Sequence, residues 1–140
     1  MRKPLVMLPG LLASACGGDA DSAAADLSSP CAEETRSLDF TPGLEADGEG
    51  LSLRLAALSP DPPTAAATNA WTVALTPAPG AAPAVRLYMP DHGHGAPDGG
   101  AVLAADGMAE LELDFTMPGL WEVTVETSDG TVVLPVCAEP

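Results

Sequence analysis

The chain is short of positive charge. Lys and Arg together number 5 against 20 Asp and Glu, a formal net charge of −15 at pH 7. Two of the five, Arg2 and Lys3, sit at the extreme N-terminus. Beyond residue 15 there is no lysine, and Arg36, Arg54 and Arg86 face all 20 acids, a formal −17. Such a surface repels phosphate backbones, so nucleic acid is not expected as a partner. It attracts cations and basic partners, and it also serves plain solubility. Aromatic residues are scarce too, at 4%, so any core is small and gains from a covalent staple. No apolar run reaches the ~20 residues of a membrane-spanning helix. Catalytic signatures are also missing. There is no Gly-x-Ser-x-Gly elbow, no thiol–imidazole pairing and no carboxylate pair with assignable acid and base roles. A hydrolase built on His92 and Asp91 is the only catalytic arrangement in sight, and an enzyme is not expected.

What is present begins with an export signal. Met1-Arg2-Lys3 is basic, Leu5 to Ala15 is apolar with a break at Pro9-Gly10, and Ala13-Ser14-Ala15 supplies small residues before Cys16. Basic start, short apolar run and small-residue cleavage site make a secretory signal over residues 1–15. The cysteine that follows resembles a lipobox, in which Cys16 carries lipid and becomes the mature N-terminus. Leu12 stands one place earlier than the usual leucine. The alternative is an ordinary signal peptide with a chance cysteine. Lipidation would tether the chain to a bacterial membrane, periplasmic or at the cell surface, without a spanning helix. Gly17 to Ser29 reads GGDADSAAADLSS, with almost nothing to bury, so residues 16–29 are expected to be a flexible acidic linker.

The domain proper is expected over 30–140. With Cys16 assigned to lipid, Cys31 and Cys137 remain near its two ends. An even number in an exported chain points to a disulfide, with free thiols or metal ligation as the alternatives. A bridge closing so long a loop stabilises by about 4–5 kcal/mol in the chain-entropy model.

Hydrophobic periodicity in the domain is two. Glu110-Leu111-Glu112-Leu113-Asp114-Phe115 alternates strictly, and Trp121-Glu122-Val123-Thr124-Val125-Glu126 repeats the pattern. Each predicts a strand with one wet face. Leu111, Leu113, Phe115, Trp121, Val123 and Val125 should face one core, and the intervening acids should face water. Further strands are predicted at 71–76, 85–89, 51–55 and 131–136, and a short first strand around Leu38 and Phe40. Asp106-Gly107 and Asp129-Gly130 are hairpin signals. The proline-rich stretches 60–63 and 77–83 belong to loops or edges. About seven short strands with close turns indicate an antiparallel β-sandwich of immunoglobulin-like type.

The unusual stretch is Tyr88-Met89-Pro90-Asp91-His92-Gly93-His94-Gly95-Ala96-Pro97. It holds both histidines of the chain and follows a predicted strand, where a scaffold can present a functional loop. His92 and His94 are two apart, and Gly93 and Gly95 permit bends that bring the rings together. Imidazole ligates copper, zinc and nickel. Met89 ends its strand facing inward by parity. Met117, in Phe115-Thr116-Met117-Pro118-Gly119-Leu120-Trp121, stays in phase with Leu111, Leu113 and Phe115. Two inward methionines at strand ends, each followed by proline, could meet beneath the histidines. Neutral thioether and imidazole suit Cu(I) and not a hard cation. Equally, methionine fills gaps in cores and packs on aromatics, and histidines in a Gly/Pro loop can be mere loop residues.

These two motifs, in this order, with Trp71-Thr72-Val73 before them, resemble the YtkA-like domain family over roughly residues 69–127. Those are small exported β-sandwich proteins related to the FixH-like accessory proteins of respiratory oxidase assembly. The Ala/Pro-rich segment Pro77 to Pro83 departs from the tight glycine turn usual there. The resemblance implies a sandwich, an exported location and an association with copper handling or oxidase maturation, with Met89, His92, His94 and Met117 as the matching positions. Two function classes follow. One is a lipid-anchored domain that binds Cu(I) and delivers it to another envelope protein. The other is a non-metal protein-interaction module of the cell envelope.

Overall fold

A computed structural model describes residues 29–140. The expected signal segment 1–15, Cys16 and the linker up to Ser28 lie outside the described residues. Nine strands follow one another: β1 (Glu45–Asp47), β2 (Ser52–Ser59), β3 (Asn69–Thr76), β4 (Ala84–Met89), β5 (His94–Gly95), β6 (Gly100–Leu103), β7 (Met108–Leu113), β8 (Gly119–Glu126) and β9 (Thr131–Ala138). They make two antiparallel sheets, β1-β2-β3-β7-β6 and β5-β4-β8-β9. The order β2-β3-β7-β6 against β4-β8-β9 is the arrangement of immunoglobulin-like sandwiches, with β5 added beside β4. No helix among the described residues is long and apolar enough to cross a membrane.

Alternation decides which face of each strand is dry. Leu111 and Leu113 of β7, Phe115 after it, and Trp121, Val123 and Val125 of β8 are all buried, as their spacing predicts. Glu110, Glu112, Asp114 and Glu126 are exposed, and Glu122 is half-buried. Leu53, Leu55, Trp71, Val73, Val85, Leu87, Val132, Leu134 and Val136 complete a core between the sheets. In antibody domains a disulfide joins the strands equivalent to β3 and β8. Here each carries a fully buried tryptophan, Trp71 and Trp121, and Phe115 bridges them with ring centroids 6.4 and 5.7 Å away.

Cysteines are used differently. Cys31 and Cys137 form a disulfide with Cα atoms 5.6 Å apart, closing a loop of sequence separation 106. It fastens the segment before β1 to the end of β9. That segment is not the short strand expected around Leu38 and Phe40. The Leu38 N–H donates a single bond to the Pro135 carbonyl at 2.9 Å, and Pro135 has no N–H to return, so no ladder forms. Phe40 instead buries its ring on Trp71, with centroids 4.9 Å apart. The three strands beyond the expected set, β1, β5 and β6, span three, two and four residues. Such runs are too short to show a period.

The glycine signals have two different causes. Asp106 and Gly107 both have positive φ, 61° and 75°, the backbone of a tight hairpin turn between β6 and β7. Gly130 does not. A Cβ there would lie 1.9 Å from the Glu49 carbonyl oxygen, and one on Gly48 would lie 2.0 Å from that of Thr131. These glycines let two turns touch backbone to backbone, through the reciprocal bonds of Glu49 and Thr131 at 2.9 and 3.0 Å.

Candidate functional site

Both histidines lie at the opposite end of the sandwich from that glycine contact. β4 and β5 form a small hairpin in which Met89 pairs with His94 and Tyr88 with Gly95. Pro90 to Gly93 make its turn. The N–H groups of His92 and Gly93 both donate to the Met89 carbonyl, at 3.2 and 2.9 Å, and Gly93 closes the turn with φ +66°. Gly95 has another role, because a Cβ there would come within 2.8 Å of the Leu87 carbonyl oxygen. Gly93 supplies the bend and Gly95 the close approach.

The turn places the two imidazole rings with centroids 5.8 Å apart, both exposed. His94 sits edge-on to Trp121 at 6.3 Å, and its Nδ1 lies 3.3 Å from the Gly95 carbonyl. With the proton on Nδ1, Nε2 keeps its lone pair for a ligand. Trp121 in turn donates its indole N–H to the Met117 carbonyl at 2.9 Å. That bond ties the Met117-Pro118-Gly119 segment to the Trp121 ring. Gly119 has φ +124°, and a Cβ there would lie 2.9 Å from the Met89 methyl. Met89 is only 2% exposed. Met117 is half-buried against the core.

The four residues singled out by sequence therefore gather at one end in two layers. His92 and His94 are presented to water. Met89 lies in the core beneath them, its methyl against the turn that carries Met117. Parity placed Met89 inward, and it is so far inward that it is fully covered. Among the described residues no three His, Cys, Asp or Glu side chains converge on one point.

Sequence reasoning missed two members of the site. Trp121 counted only as core, yet its ring is the wall that His94 meets and the donor that fixes Met117. Arg36 went unnoticed because it lies 55 positions from its partner. Its guanidinium grips Asp91, the neighbour of His92, with Nη1 donating to Oδ1 at 2.9 Å and Nη2 to Oδ2 at 2.8 Å. The same side chain holds Glu34 through Nε and Nη2, both at 2.8 Å. Hydrogen bonds from Arg36 hold the Asp91 and Glu34 carboxyls below the usual carboxylate range. The positive charge of Arg36 acts in the same direction on both, and Asp91 also feels His92. The one available hint was rarity, since Arg36 is one of three basic residues after position 15.

Fold and site together define a small immunoglobulin-like sandwich that displays a two-histidine hairpin at one end. No family model matches the chain, and neither does any curated protein or any solved structure. The resemblance to the YtkA-like family thus stands on the quoted motifs alone.

Proposed function

We propose that this is an exported domain, lipid-anchored through Cys16, that binds Cu(I) in the bacterial cell envelope and hands it to a partner protein there. The observation that carries the reading is the spacing of the rings. With metal–nitrogen bonds of about 2.0 Å and ring centres about 1.15 Å beyond nitrogen, two imidazoles on one ion have centres about 5.1–6.3 Å apart between tetrahedral and linear geometry. The His92–His94 separation of 5.8 Å falls inside that range. A two-nitrogen set with thioether sulfur beneath it suits a soft, low-coordinate cation. Met89 and Met117 are the sulfur ligands in this proposal, recruited by rearrangement of the Gly119 turn. The anchor and the location rest on the Met1–Cys16 pattern.

One observation favours a second reading. Met89 is 2% exposed and so offers no surface to an arriving ion. Exposed histidines over a packed methionine equally describe a hairpin that recognises another envelope protein without metal. Competition with a Cu(I) chelator separates the two. Wild type should take Cu(I) in preference to Zn²⁺. The His92→Ala/His94→Ala protein should lose at least a hundredfold in affinity. The volume-preserving Met89→Leu/Met117→Leu protein should lose about tenfold, roughly 1.4 kcal/mol. Equal affinity in all three folded proteins, or no Cu(I) uptake by wild type, leaves the non-metal interaction module.

A further inference from the structure

We infer that Arg36 is a specificity-determining residue: by gripping Asp91 it withholds a carboxylate from the histidine hairpin, so that the site stays a soft one and rejects divalent cations. The inference rests on the two-histidine reading above. Three observations lead to it. Asp91 directly precedes His92 on the same turn, so His92, His94 and Asp91 are the raw material of a two-imidazole, one-carboxylate site. Such a set suits zinc and other divalent metals, which take carboxylate oxygen readily. Both oxygens of Asp91 are nonetheless occupied by Arg36, at 2.9 and 2.8 Å, and no triad of His, Cys, Asp or Glu converges among the described residues.

Stability does not account for the contact. Arg36 and Asp91 side chains are 54% and 50% exposed, and exposed pairs contribute little to folding. The placement is nevertheless closely determined. Cys31 is bonded to Cys137, the Leu38 N–H is bonded to Pro135, and Phe40 is seated on Trp71. These three fixings carry Arg36 to the hairpin. A guanidinium forked onto a carboxylate is geometrically specific and cannot be neutralised at any physiological pH. Arg36 thus remains a partner for the Asp91 carboxylate across the physiological pH range.

The test is calorimetric titration of the full-length purified protein in detergent with Zn²⁺ alone. It compares wild type, Arg36→Ala, Arg36→Ala/Asp91→Asn and Arg54→Ala. The last removes the same charge from a strand far from the hairpin. Arg36→Ala should bind Zn²⁺ about fivefold more tightly than wild type, the most that release of an exposed ion pair supplies. Arg36→Ala/Asp91→Asn and Arg54→Ala should both stay within twofold of wild type. Equal Zn²⁺ affinity in wild type and Arg36→Ala overturns the inference. So does a gain that survives Asp91→Asn, or a matching gain in Arg54→Ala, because either makes it a charge effect. Unchanged thermal unfolding of Arg36→Ala confirms that the comparison is between folded proteins. The readout does not involve copper, so failure of wild type to bind Cu(I) would sink the delivery reading while leaving this result to stand or fall separately.

Discussion

The two ends of the sandwich are closed by different means. At one end the turn before β2 meets the turn before β9, and the contact is backbone on backbone. Gly48, Gly50 and Gly130 stand where any side chain would strike a carbonyl, at 2.0, 2.3 and 1.9 Å. At the other end the closure is made by side chains. Phe40, Trp71, Phe115, Trp121, His94 and His92 follow one another with ring centroids 4.9 to 6.4 Å apart. The first end admits almost no variation, because a carbonyl in a paired turn cannot retreat. The second can be remodelled residue by residue, because rings and thioethers repack. The candidate site lies at the second end.

The largest effect expected tests what holds the aromatic end. Replacing Cys31 and Cys137 together by alanine removes a loop closure of 106 residues and should lower unfolding free energy by about 4–5 kcal/mol. A urea melt of the double variant measures it. A loss under 1 kcal/mol would show that the N-terminal segment is held by its noncovalent contacts and not by the bridge.

Next comes a matched pair of glycines, one from each end. Gly130→Ala forces a methyl into the Glu49 carbonyl and should cost about 3 kcal/mol. Gly93→Ala meets nothing within 4 Å and pays only for its positive φ, about 1–2 kcal/mol. Measured side by side by denaturant melts, the ratio reads the difference between the ends directly. Equal costs would mean that the glycine contact yields, and the contrast drawn above would be lost.

The smallest effect is in titration. Arg36 holds Asp91 and Glu34 below the ordinary carboxylate range. Groups lowered in the folded state contribute stability at pH values above their unfolded pKa, and lose it as pH falls through the folded one. The clamp should therefore survive to below pH ~3.9, the ordinary aspartate value. Carboxyl carbon shifts followed by NMR should show both groups titrating low in wild type and moving up in Arg36→Ala. Unmoved midpoints would detach the hairpin from the N-terminal segment.

How much of this was legible in sequence varies from element to element. β7 and β8 alternate so strictly that face and core could be written residue by residue over 110–115 and 121–126, with Glu122 and Thr124 half-covered on the wet face. Asp106-Gly107 carried its own turn geometry. Leu38 and Phe40 looked like a strand because two apolar residues two apart satisfy a period that two residues cannot prove. The four proposed ligands were chosen by their chemistry and by parity, though Met117 lies beyond the end of β7 and is only half-buried. The depth of Met89 was not legible, since parity fixes a side and says nothing of how far in the strand end lies.

By itself the sequence determined the class of fold, the dry face of the long strands, the cysteine pair available to be joined and the loop that carries both histidines. These are local properties, set by period two, by turn chemistry and by which residue types are present at all. Tertiary structure alone decided the rest. It made Gly130 a point of backbone contact as well as part of the β8–β9 hairpin. It made Trp121 both a core residue and the wall of a site. It also set Arg36 upon Asp91 across 55 positions. Each of these depends on what a distant segment brings to the same place, and no pattern along one stretch of chain contains that.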